Sequence, residues 1–255
     1  MPSILDRFSL AGKTALVTGA SRGLGQAYAE ALAEAGADVV LVDIVPSTET
    51  ENRLRALGRR TLSVVANLAD RTSIPQVIET GTQLTGQLDI LVNNAGIIRR
   101  EDFDKFAEKD WDDVINVNLN AVFFLSQAFV RQLLAANRPG KIVNVASMLS
   151  FQGGIRVPSY TASKSAVLGL TRLMANELGG RGICINAIAP GYMATDNTAP
   201  LRADEKRNQA ILDRIPAGRW GTPDDLKGTV VFLASAASDY VNGYTLAVDG
   251  GWLAR

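Results

Sequence analysis

Thr14-Ala-Leu-Val-Thr-Gly-Ala-Ser-Arg-Gly-Leu-Gly25 runs from an apolar stretch through a glycine-rich turn into the helix-period segment Gly25–Ala35. Thr14–Thr18 carries no polar alternation, which reads as a strand buried on both faces. The turn has the spacing Gly19-x-x-x-Gly23-x-Gly25 and sits at the junction of the first strand and first helix. Glycine lets a backbone turn sharply and approach a ligand closely, and a helix N-terminus offers N–H groups to an anion. Gly19, Ser21, Arg22, Gly23, Leu24 and Gly25 are therefore candidates to cradle a pyrophosphate. The spacing is not Gly-x-Gly-x-x-Gly, so its place after the strand carries the reading.

The same grammar repeats along the chain. Apolar runs of strand length recur at Val39–Val42, Leu62–Ala66, Ile90–Val92, Ile142–Val145 and Ile183–Ile188, with a last candidate at Tyr244–Val248. Amphipathic stretches lie between them at Thr48–Leu57, Ile74–Thr85, Trp111–Ala136 and Ser159–Leu178. Strand and helix in alternation predict an α/β fold, a parallel sheet covered by helices on both faces. No linker, repeat or low-complexity tract interrupts residues 1–255, which are expected to form a single domain. Residues 192–225 break the rhythm with a polar, Arg-rich stretch containing Pro200, Pro216 and Pro223. It is expected to be an irregular segment that covers a substrate.

Composition narrows the chemistry. The 255 residues include no histidine, which excludes a Ser-His-Asp triad, a His base and a His-ligated metal. The single Cys184 excludes an intramolecular disulfide and a Cys-cluster metal site, so no metal is expected. Lys+Arg and Asp+Glu each total 26, and this balance gives no sign of a nucleic-acid-binding face. Met1 to Lys13 lacks an apolar run of signal-peptide length, and no stretch approaches a membrane span. A reducing cytoplasm is the expected location.

What remains for acid–base work is Tyr, Lys, Ser and carboxylates. Tyr160 and Lys164 stand at i,i+4 near the start of a helix whose first turn carries Pro158, which puts both side chains on one face. Lowering a phenol from near 10 to about 7 needs roughly 4 kcal/mol, which an ammonium about 4 Å away supplies at an effective dielectric near 20. Asp43 closes the second strand, 18 positions after Gly25. A carboxylate there can accept ribose hydroxyls and repels a 2′-phosphate, which favours NAD over NADP, although Arg22 is placed to meet such a phosphate.

In order along the chain stand the glycine turn, Asn93-Asn94-Ala95-Gly96 after the fourth strand, Ser147 placed 13 residues before Tyr160, and Pro190-Gly191 after the sixth strand. With these motifs the sequence resembles the short-chain dehydrogenase/reductase family over essentially its whole length. The resemblance implies a Rossmann-type domain with a doubly wound, seven-stranded parallel sheet. It implies Ser147, Tyr160 and Lys164 as catalytic residues, with Asn118 of Asn116-Val-Asn118-Leu as the fourth. It further implies that Asp43, Ile44, Asn94, Ala95 and Gly96 line an NAD site together with Tyr160 and Lys164, and that Pro190, Gly191, Met193 and Thr195 face the nicotinamide. Asn67-Leu68 stands where the family often has Asp to hold adenine.

Longer segments, including Ala146 to Tyr160, Ile98 to Asp102 and Asp249 to Arg255, resemble members of the family that act on sugar acids. They imply NAD(H)-linked redox of a small anionic keto acid derived from a hexonate, in uronate and pectin breakdown, and a homotetramer. In such a site Ser147 and Tyr160 would meet the substrate's oxygen. Its carboxylate calls for an arginine or a cluster of donors. Arg156 and Gln152 are the first candidates because their loop follows Ser147; Arg99, Arg100 and Arg202 are others. Ser150 competes with Ser147 on residue type alone. Two further readings are a reductase of another carbonyl, such as 3-oxoacyl carrier protein, and a dinucleotide sensor without catalysis. Asp43 and the charge balance speak against the first, and the filled catalytic positions against the second.

Overall fold

Neighbouring residues of β1 (Thr14–Thr18) enter two different cores, as a computed structural model covering residues 3–255 describes them. Met1 and Pro2, on which the leader reading partly rests, lie outside the described residues. Val17 joins Val39, Leu41, Val92, Val143 and Ile188 on one face of the sheet, under Tyr28, Leu32, Leu54, Val230 and Leu233. Leu16 joins Val40, Leu91, Ile142 and Ile185 on the other, under Ile74, Val77, Leu125, Phe129 and Met174. Covering both faces is why the strands read as unbroken apolar runs.

The elements follow in the expected order: α1 (Gly23–Glu34), β2 (Asp38–Asp43), α2 (Thr48–Ala56), β3 (Thr61–Val65), α3 (Ser73–Thr82) and β4 (Ile90–Asn93). Next come α4 (Glu108–Ile115), α5 (Ala121–Ala135), β5 (Gly140–Val145), α6 (Pro158–Leu178), β6 (Ile183–Pro190), α7 (Ala199–Ala203), α8 (Glu205–Leu212), α9 (Lys227–Ala234) and β7 (Thr245–Val248). Seven strands form one sheet in the order β3-β2-β1-β4-β5-β6-β7, every pair parallel. The order reverses between β1 and β4. Beyond the carboxyl ends of those strands lies the crevice where doubly wound sheets bind ligands.

Three expectations change, and one helix is new. The strand at Leu62–Ala66 is a sheet edge and only partly buried, with Val65 exposed; the last strand, at Thr245–Val248, is the other edge. The single helix expected over Trp111–Ala136 is two, α4 and α5, joined by a π-helical turn at Asn116–Asn120. The segment 192–225 is not irregular throughout. It holds α7 and α8, and the Asp204 carboxylate caps α8 by accepting the Arg207 N–H at 3.0 Å. The helix α9 was not expected; its Thr229-Val-Val run is β-branched, and it is held as a helix where it packs on α1.

By length and composition Glu108–Ala135 could cross a membrane. Here Val122, Leu125, Phe129 and Leu133 of that stretch are buried within the protein, as in a core helix.

Candidate active site

The glycine turn is held from three sides. The Asp43 carboxylate accepts the Ser21 N–H at 2.9 Å and the Ile44 N–H at 2.7 Å. Asn94 Nδ2 donates to the Thr18 and Gly19 carbonyls, and Thr18 Oγ1 accepts the Asn94 and Ala95 N–H groups at 3.0 Å each. Thr50 Oγ1 donates to the Ala20 carbonyl at 2.8 Å. A Cβ on Gly25 would lie 1.9 Å from the Gly19 oxygen, so the turn closes only without one. Gly23, at φ +61°, borders open space, and no side chain caps the start of α1. Uncapped N–H groups beside an open, glycine-lined surface fit the pyrophosphate of a dinucleotide.

Other expected contacts surround the same crevice. Asn67 Oδ1 accepts the Ala69 N–H and leaves its amide NH₂ unengaged, while Leu68 is buried. Gly191 packs so tightly that a Cβ would meet the Asp249 Cα at 2.6 Å. Met193 pairs with Gly221 in a short parallel bridge, which brings the chain ahead of α7 back across the sheet end. Thr195 starts the turn that enters α7. Arg22 reaches Asp196 of that turn at 3.8 Å, both side chains being largely exposed.

Ser147, Tyr160, Lys164 and Asn118 come together where β5 ends and α6 begins. Ser147 is buried and caps the 3-10 turn Met148–Ser150, its Oγ accepting the Leu149 N–H at 3.1 Å. That leaves the hydroxyl proton free to donate, and the Ser147 hydroxyl favours the ionised form of the Tyr160 phenol. Lys164 Nζ lies 5.7 Å from the Tyr160 ring centroid and donates to the Val145 carbonyl at 2.6 Å. Asn118 is fully buried in the π-helical turn. Its amide accepts from Ile97 N at 2.8 Å and donates to Ile97 O at 2.9 Å and to Ser163 Oγ at 3.3 Å.

These distances revise the electrostatics. Burial pushes the Tyr160 phenol up from its usual value, while Ser147 and the Arg100 charge pull it back. The ammonium lies over the ring and is held by a backbone carbonyl, so it does not lower the phenol as a bare charge at about 4 Å would. Burial also pulls Lys164 down to about 8. Between about pH 8 and the ordinary lysine range the unfolded chain binds more protons at this position than the folded one, so stability rises with pH. The apo protein is expected to melt at higher temperature at pH 9.5 than at pH 8, and Lys164→Met is expected to flatten that rise, as read by calorimetry.

The arginines are placed differently from the sequence reading. Arg156 adopts φ +63° on the surface, where Nε meets Asp102 at 2.8 Å and Nη2 meets Glu101 at 3.1 Å. Gln152 Oε1 accepts from Arg214 at 3.1 Å. Arg99 pairs with Asp110. Arg100 makes no ion pair among the described residues; it donates to the Asn197 carbonyl at 3.4 Å, and its charge is felt at the Tyr160 phenol. The sequence reading named Arg100 but gave it no priority, because nothing local reveals that Glu101 and Asp102 hold Arg156.

The family model described as enoyl-(acyl carrier protein) reductase matches residues 19–253. A protein of Escherichia coli (strain K12) named 2-dehydro-3-deoxy-D-gluconate 5-dehydrogenase is 63% identical over 252 residues, covering 99% of this chain and 100% of that one. Among solved structures, a candidate 2-deoxy-D-gluconate 3-dehydrogenase from Agrobacterium tumefaciens with bound NADP superposes with TM-score 0.94 at 56% identity, covering 98% of this chain and 100% of that one. A gluconate 5-dehydrogenase from Burkholderia cenocepacia in complex with NADP and tartrate gives TM-score 0.94 at 41% identity, covering 99% and 100%.

Proposed function

The chain belongs to the short-chain dehydrogenase/reductase family and is an oxidoreductase that uses a nicotinamide dinucleotide; from that premise we propose that it interconverts a secondary alcohol and a ketone on a deoxy-hexonate keto acid. The substrate class is that of the 2-dehydro-3-deoxy-D-gluconate 5-dehydrogenases, or of the 2-deoxy-D-gluconate 3-dehydrogenases. The observation that carries this reading is the convergence of Ser147, Tyr160 and Lys164 at the sheet end beside Arg100, an arginine with no ionic partner among the described residues.

Residues Gly19 to Gly25, Asp43, Asn94 and Pro190 to Thr195 would hold the dinucleotide, which when bound supplies the hydride acceptor or donor. Ser147 donates its free hydroxyl proton to the substrate oxygen and holds it beside Tyr160. Tyr160 takes the alcohol proton as the phenolate in oxidation and returns it as the phenol in reduction; the positive nicotinamide ring, when bound, would favour the phenolate against its burial. Lys164, fixed on the Val145 carbonyl, keeps a positive charge against the phenol ring. Asn118 ties the chain at Ile97 to α6 and so sets the wall of the site.

A carboxylate substrate is drawn to Arg100 rather than to Arg156, whose charge already faces Glu101 and Asp102. Arg100→Met is expected to raise KM for the sugar acid roughly 10–100-fold with little change in kcat, whereas Arg156→Met moves KM less than about threefold. Equal effects of the two in steady-state assays would return Arg156 to the site.

NAD is the proposed partner. The carboxylate of Asp43 fixes the turn from the end of β2 and disfavours a second anion there. Comparing kcat/KM for NAD⁺ and NADP⁺ with 2-dehydro-3-deoxy-D-gluconate tests the proposal: a higher value with NAD⁺ supports it, and a higher value with NADP⁺ overturns the cofactor assignment. We also propose a homotetramer, supported by Trp111, Phe123 and Leu173 exposed on α4, α5 and α6. Light scattering would give its mass.

A further inference from the structure

We propose that Ser150 and Ser163 are positioning residues that hold the four residues of the proposed site, three by their backbone and Asn118 by its side chain, in fixed places against α6. This rests on the reading of Asn118, Ser147, Tyr160 and Lys164 as the catalytic set. Ser150 Oγ accepts the Ser147 N–H at 3.3 Å and donates to the Lys164 carbonyl at 2.7 Å, fourteen residues away in the chain. Ser163 Oγ accepts from Asn118 Nδ2 at 3.3 Å and donates to the Tyr160 carbonyl at 2.8 Å. Two hydroxyls thus make two relays, Ser147 to Ser150 to Lys164 and Asn118 to Ser163 to Tyr160.

The residue type at position 150 is informative. Ser147 and Ser150 form a capping box, whose third position is usually Glu or Gln. An ionised carboxylate could accept the Ser147 N–H but has no proton for the Lys164 carbonyl. A hydroxyl does both, so serine couples the cap to α6 where Glu would only close the cap. The Ser163 bond to Tyr160 is an ordinary helical back-bond, but its acceptance from Asn118 links α6 to the π-helical turn. Each serine therefore fixes one residue on the first two turns of α6 against a residue from another element. Reacting groups must be held to a fraction of an ångström, and a shift of about 1 Å can slow a reaction a hundredfold.

Ser150→Ala, Ser163→Ala and the double variant are compared with Ser150→Thr and Tyr160→Phe in the full-length protein. The readouts are kcat, KM for the dinucleotide, melting temperature, and the isotope effect on kcat with substrate deuterated at the reacting carbon. Each alanine is expected to lower kcat roughly 10–100-fold with the dinucleotide KM within about twofold, and to raise the isotope effect as hydride transfer slows. Ser150→Thr restores the hydroxyl and is expected to recover kcat to within about threefold of wild type. The double variant is expected to lose about the product of the two single losses, because the relays share no residue. Wild-type kcat in both alanine variants overturns the proposal. So does a loss that threonine leaves unrepaired and that a matching rise in dinucleotide KM accompanies. Full activity in Tyr160→Phe would remove the catalytic reading itself; an inactive Tyr160→Phe beside fully active Ser150→Ala and Ser163→Ala would remove only the positioning role.

Discussion

Tyr160→Phe is expected to lower kcat about a thousandfold while leaving affinity for the dinucleotide within about twofold of wild type. The substitution deletes one oxygen from a half-buried side chain and keeps the ring on which the Lys164 ammonium rests. With no histidine anywhere in the chain, no ordinary replacement base stands nearby. Arg100 is a cation, Lys164 is one below about pH 8, where the comparison is made, and Ser147 has no base of its own. Stopped-flow rates with the sugar acid, set beside fluorescence titration of the reduced dinucleotide, separate the two quantities. A variant that keeps more than about a tenth of the wild-type kcat would assign the proton to another group.

Gly25→Ala is expected to have the second largest effect, on binding rather than chemistry. Its Cβ would come 1.9 Å from the Gly19 oxygen and 2.6 Å from Asn94 Nδ2. The first of these is backbone, so the turn and the start of α1 must part. Alanine favours a helix over glycine by about 1 kcal/mol, but overpacking here costs about 1–3 kcal/mol or more, and the clash prevails. Moving the turn also breaks the bond from its Ser21 N–H to Asp43 and the one its Gly19 carbonyl accepts from Asn94 Nδ2. The expected outcome is a lower melting temperature and an affinity for the dinucleotide reduced about a hundredfold or more. Gly169→Ala is the control, since a Cβ there meets nothing within 4 Å. Unchanged affinity in Gly25→Ala would place the pyrophosphate elsewhere.

Legibility in the sequence followed burial. β1, β2, β4, β5 and β6 were readable because both faces are covered, so Val39–Val42 or Ile183–Ile188 shows no alternation. The edges β3 and β7 were both found, but β3 was assigned too much burial, since the run of apolar letters does not say whether a neighbour lies beyond. The helix α9 escaped because its β-branched residues favour a strand locally, and only packing against α1 overrides that. The π-helical turn at Asn116–Asn120 has no signature in residue type.

The site followed the same division. Tyr160 and Lys164 could be paired from helical spacing, and the glycine turn from its place after β1. What Lys164 does with its proton depends on the Val145 carbonyl, which no spacing reveals. Arg156 looked attractive by its nearness to Ser147 in sequence, yet Glu101 and Asp102, more than fifty residues earlier, take its charge. The Ser150 hydroxyl was visible only as a rival to Ser147, because its link to Lys164 exists only once α6 is folded against the cap.

The most direct test of the proposed activity is a competition measured by the absorbance of reduced dinucleotide. The wild-type protein receives NADH with a 3-oxoacyl thioester in one cell, and NAD⁺ with 2-dehydro-3-deoxy-D-gluconate in the other. Turnover of the sugar acid with kcat/KM at least about a hundredfold above that of the thioester is the expected result. Turnover of the thioester alone, or of neither despite tight dinucleotide binding, would contradict it.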